Sequence, residues 1–190
     1  MKLALLSFFL LTASIAFGQT AQASGVSSEW DVRKLLDSLD LEAQHLKPVI
    51  DQVKPEGWTA KGASSTASNT YVAQWKAAQA ELRYFLSASE ALSRQPEKLT
   101  SVLDTYFRMQ AMESTVSSVV EGVRKYQNPA LANLMQGVLG ENNANRDRLR
   151  QYVQDLAAQK EQELQVADRE AQRCRDTLVK QPAAKKAVQK

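Results

Sequence analysis

Apolar residues recur along most of this chain at steps of three and four rather than two, so the pattern is helical and no alternating run reads as a strand. The first stripe, Val32, Leu35, Leu39, Leu46, Val49 and Val53, is widened by Leu36, Ala43 and Ile50 and predicts a helix over 28–54 with one buried face. Ser28 followed by Asp31 has the spacing of a capping box, and Glu29 and Asp31 place negative charge at the positive end of the dipole. Pro48 removes a backbone donor inside the stripe, which predicts a kink near 44–47.

The periodicity stops at 54–69, where Pro55, Gly57, Gly62 and a Ser/Thr run make the longest connection of the body. A second helix is expected over 69–94, with Val72, Trp75, Ala78, Leu82 and Leu86 inward and Phe85 beside them. Pro96 suits the first position of a third helix, 96–127, whose face is Leu99, Val102, Tyr106, Met109, Val116, Val120 and Val123, widened by Leu103, Met112 and Val119. Asn128 with Pro129 behind it is a cap followed by a helix-opening proline, and a fourth helix is expected over 129–180. Short connections between amphipathic helices predict an all-α fold, an antiparallel up-down-up-down four-helix bundle.

The fourth helix outruns its partners. Uninterrupted by proline, it spans about 50 residues or roughly 75 Å, against about 45 Å for the others. Its apolar positions are rich at Leu131, Leu134, Met135, Val138, Leu149, Val153 and Leu156, then thin to Leu164, Ala167, Ala171, Cys174 and Leu178, so the last third is expected to project. Gly137, Gly140 and the GENNANR stretch mark where such a helix would break, with Asn142 and Asn145 on the inward stripe. From Leu164 onward the steps average about 3.5 residues, the coiled-coil repeat. These five residues are candidate contacts for an unknown protein partner or for a weak homodimer. In a parallel, in-register dimer the two copies of Cys174 would face each other and form a reductant-sensitive bond.

The chain ends add a compartment. Lys2 precedes an apolar run from Leu3 to Phe17, shorter than the roughly 20 residues of a spanning helix, which reads as a signal peptide over 1–23 cleaved after Gly18 or Ala23. The remainder is expected to be one helical domain, 24–180, exported to the periplasm or cell exterior and without a transmembrane segment after processing. The formal net charge of +3 falls to +2 without Lys2, and to −2 once Lys180, Lys185, Lys186 and Lys190 are set aside. The basic character therefore belongs to a tail, 181–190, that opens on the helix-stopping Pro182. Such a tail is either a solvated, disordered end or a contact for anionic envelope material, and nucleic acid is not an expected partner outside the cytoplasm.

Candidate chemistry is sparse. Glu42 and His45 make the E-x-x-H step found in di-iron bundles, but that site requires a second such step and the chain has a single histidine. The ordinary alternative is a surface histidine with Glu42 as its helical neighbour. Haem ligation by His45 with Met109, Met112 or Met135 is formally open, although methionine at inward spacing is chiefly core filling. Cys174, the sole cysteine, lies far along the chain from His45, and there is no nucleophile elbow or phosphate-cradling glycine loop. No cofactor, metal site or catalytic set is assigned. Trp58, flanked by Gly57 and the Ser/Thr run, suits two roles: a lid folded over the bundle end, or an exposed aromatic that anchors a partner. The leading expectation is an exported, non-catalytic interaction or scaffold protein; the alternative is a bundle binding a small molecule or cofactor around Trp75, Tyr106, Met109 and Tyr152.

Overall fold

Helix formation follows the stripes closely, and the departures come where side chains compete for backbone groups. A computed structural model describes residues 29–141 and 143–180; among them every regular element is helical and there is no strand. The elements are α1 (Glu29–Ile50), a 3-10 turn (Pro55–Lys61), α2 (Ser65–Arg94), α3 (Leu99–Tyr126), α4 (Pro129–Gly140) and α5 (Asn143–Lys180). The expected signal segment, the Ser28 cap, Asn142 and the lysine-bearing tail lie outside the described residues.

α1 stops at Ile50 rather than 54, so Pro48 lies in its last turn instead of kinking a longer rod. The chain leaves through tightened bonds, the Gln52 N–H donating to the Val49 carbonyl (3.3 Å) and the Val53 N–H to that of Ile50 (3.1 Å). α2 starts at Ser65 rather than 69, because Ser64 caps it by accepting the Ala67 N–H at 3.1 Å. A serine that is indifferent inside a helix is among the best residues at this position. Pro96 does not open α3. It sits in the preceding turn, where its carbonyl accepts the Tyr152 hydroxyl of α5 at 2.8 Å, and α3 begins at Leu99. Asn128 caps α4 as its spacing implies, accepting the Ala130 N–H at 2.8 Å with Pro129 first in the helix.

The expected fourth helix is two. In an unbroken helix the Leu139 carbonyl would accept the N–H of residue 143. Here it accepts the Arg146 guanidinium instead, while the Glu141 N–H falls back to the Val138 carbonyl (3.2 Å). Gly140, the poorest helix former in the stretch, ends α4 at that point.

α1 and α3 each pack against α2, α4 and α5, and the 3-10 turn packs against α2 and α3. Leu36, Leu39 and Leu46 of α1, Phe85 and Leu92 of α2, Met112 and Val116 of α3, Met135 of α4, and Leu149 and Leu156 of α5 are all buried in one core. A leucine taken wholly out of water contributes roughly 1.5–3 kcal/mol, so this shared interior is the main stabilising element. Several expected core positions are displaced outward. Phe85 is fully inside and Leu86 only half, Val72 and Trp75 are half-buried, and Leu134 is exposed at the edge of the face Leu131, Ala132, Met135 and Val138 that α4 buries.

Candidate interaction surface and its anchorage

The inward residues of α5 are Leu149, Tyr152 and Leu156, which meet α1 and α3. Beyond them, every residue from Glu161 to Lys180 is exposed although the helix continues without interruption. Leu149 and Ala167, Val153 and Ala171, and Leu156 and Cys174 are each eighteen residues apart, five turns at 3.6 residues per turn. The seam Leu164, Ala167, Ala171, Cys174 and Leu178 is therefore the body-facing stripe of α5 carried past the body. Leu164 is 63% exposed, Leu178 69%, and Cys174 is a free, exposed thiol. At the root of this arm Lys160 pairs with Glu163 at 3.0 Å and Gln159 donates to the same carboxylate at 2.8 Å, which holds Glu163 below the usual carboxylate range. No ion pair joins two of the described residues 164–180, so side-chain electrostatics add little to the arm's helicity.

The start of α5 is tied to the body by a partly buried ion cluster that the sequence pattern did not reveal. The Arg146 guanidinium lies 2.6 Å from Glu42 of α1 and 2.5 Å from Glu113 of α3, and it donates to the Asn143 side chain at 2.7 Å and to the Leu139 carbonyl. One side chain thus ties α1, α3, α4 and α5 together at the α4–α5 break. Glu42 is only 2% exposed, so its charge needs compensation inside the protein, and Arg146 supplies a full opposite charge. Contact between Arg146 Nε and Glu113 is coulombic rather than a directed hydrogen bond, since the N–H points off the carboxylate oxygen. Burial pushes the Glu113 carboxyl above its ordinary pKa; Arg146 pulls it back and Glu42 adds to the rise.

Glu42 and His45 therefore do not act as a pair. Glu42 points into the ion cluster and His45 is exposed on the outside of α1, away from the buried Met109, Met112 and Met135. A charged residue bordering the stripe of Leu39, Ala43 and Leu46 was the one available signal that Glu42 turns inward.

Trp58 is 1% exposed and does not serve as a surface anchor. The 3-10 turn lays its indole between Tyr71 of α2 and Tyr126 of α3, with ring centroids at 5.1 and 5.8 Å. Gly122 of α3 lies directly beneath, where the absence of a Cβ admits the ring. Gln127 at the end of α3 fixes the same connection, accepting the Lys54 N–H at 2.9 Å and donating to the Gln52 carbonyl at 2.8 Å.

Trp75, Tyr106, Met109 and Tyr152 do not converge on one cavity. Tyr106 and Met109 border a hollow of about 280 Å³ beside Arg146, whereas Tyr152 borders a crevice of about 420 Å³ between α1 and α5 with Lys34 and Arg148. Trp75 lines neither, its indole N–H donating to the Ile50 carbonyl at 3.0 Å. Among the described residues no helix is long and apolar enough to cross a membrane. Comparison with protein-family models, curated proteins and solved structures finds no match to this chain.

Proposed function

We propose that this is an exported, non-catalytic interaction protein: an antiparallel up-down-up-down four-helix bundle, α4 and α5 together forming the fourth member, that presents residues 161–180 as its contact arm. One observation supports the reading above all. The apolar stripe that buries α5 in the body runs on to Leu178, where no described residue covers it. Most helical stability in proteins comes from packing an amphipathic face rather than from propensity, so a stripe that no described residue covers is best explained by a partner that supplies the cover. Export rests on Lys2 and the apolar run from Leu3 to Phe17.

The test compares the full chain with one ending at Lys160, both checked for folding by circular dichroism, in cross-linking experiments in the envelope of the producing cell. The full chain should yield a defined cross-linked species that the shortened chain does not. The same species from both, or none from either, would remove the arm as the contact surface. Mass spectrometry of the processed chain should find its first residue at Gln19 or Ser24; an intact Met1 would overturn the export assignment.

A further inference from the structure

We infer that the arm's partner is the same arm of a second copy, laid antiparallel, an inference that rests on reading residues 161–180 as the contact surface. On the 3.5-residue repeat, Leu164, Ala171 and Leu178 share one seam position and Ala167 and Cys174 the other. Two such seams can run in the same or in opposite directions.

Running the same way is blocked by the bodies. The seam lies on the side of α5 that faces α1 and α3, so each body stands on the seam side at the root of its own arm. Parallel arms in register would bring both bodies to one place, between helix axes that close packing holds about 8–10 Å apart. The layers would be Leu on Leu at the ends with Ala on Ala and Cys174 on Cys174 between them, and the flanks would set Glu163 against Asp168 but Glu170 against Arg175 of the second copy, so charge is balanced in this direction and the bodies decide against it.

Running oppositely, with the two-fold axis between Gln172 and Arg173, Ala171 faces Cys174 of the second copy and Ala167 faces Leu178. Each of the four layers so formed joins an alanine to a larger side chain, which suits close packing, while Leu164 at the root has no seam residue of the other arm opposite it. Asp168 faces Arg175 of the second copy, twice by symmetry, and Glu170 faces Thr177, so no like charges oppose each other at the flanking positions of 165–180. Moving the axis to Arg169 would set Asp168 on Asp168 and Glu170 on Glu170, so charge selects the first register. In it Lys180 ends opposite Gln165, clear of the other body. Cys174 meets Ala171 rather than its own copy, and the expected disulfide through paired Cys174 residues does not form.

The full chain is used for the test, with variants confined to exposed arm positions so that folding, followed by circular dichroism, is retained. Under mild oxidation A171C, which keeps Cys174, should give a disulfide-linked dimer on a non-reducing gel, whereas the unmodified chain and A171C/C174S should not. In sedimentation at low salt, D168R should weaken association roughly tenfold by turning two attractions into repulsions, and D168R/R175D should restore it. A dimer linked by Cys174 in the unmodified chain would overturn the antiparallel arrangement. A monomer for every variant would overturn self-pairing altogether. The contact-arm reading fails separately, when the chain ending at Lys160 cross-links as the full chain does.

Discussion

Replacing Gly122 by alanine sets two physical effects against each other at one atom. Gly122 lies inside α3, where alanine is the better helix former by about 1 kcal/mol, and on propensity alone the substitution stabilises. Yet the added Cβ would lie 2.3 Å from Cζ3 of Trp58 and 2.8 Å from Cδ1 of Tyr71. Neither ring can give way cheaply, since Trp58 is wedged between Tyr71 and Tyr126 and belongs to a 3-10 turn tied to α3 through Gln127. Overpacking of this kind costs about 1–3 kcal/mol, and outright expulsion of the indole would approach the roughly 3–5 kcal/mol of a tryptophan truncated to alanine. With the propensity gain deducted, Gly122→Ala should destabilise by up to about 2 kcal/mol if the rings shift in place and by about 2–4 kcal/mol if the indole is expelled, read as a lower urea midpoint with tryptophan fluorescence reporting the displaced ring. In a Trp58→Ala background the clash is relieved, and Gly122→Ala should become neutral or stabilise by up to about 1 kcal/mol. If the single substitution stabilises while Trp58 is present, the close approach of indole and helix is not real.

Arg146→Met should cost about 3–5 kcal/mol at neutral pH by leaving Glu42 charged and buried, and Glu42→Met in the same chain should recover most of it in urea unfolding. Glu113 and Asp40, the pKa of each raised chiefly by burial, both bind protons more readily in the folded chain than in the unfolded one. Stability should therefore rise as the pH falls from neutrality toward the ordinary carboxylate range, and Glu113→Gln should flatten that slope in unfolding curves measured across pH. Val120→Asp should unfold the body by burying an unpaired charge, whereas Leu134→Asp, on the exposed side of α4, should change stability by no more than about 0.5 kcal/mol; thermal unfolding separates the two.

Helical periodicity by itself determined the all-α class, the buried stripes of α1 and α3, the Asn128–Pro129 start of α4 and the thinning of the seam beyond Leu156. Each is a local property, set by 3.6-residue geometry and by backbone groups within a few residues of the side chain concerned. The position of Trp58 was not legible, because its burial depends on the missing Cβ of Gly122, on another helix far along the chain. Phe85 and Leu86 stand next to each other, and only packing against neighbouring helices chose the ring for the interior. Arg146 is the sharpest case. Its partner Glu42 is 104 residues away, and the pair becomes possible only once α1, α3, α4 and α5 have come together to exclude water from both charges. The same cluster sits at the break in the expected fourth helix, where the Leu139 carbonyl near the end of α4 accepts the guanidinium that neutralises Glu42. Stripes follow from a repeat any short window contains, whereas a buried charge is placed by the low-dielectric interior that the packed helices create jointly.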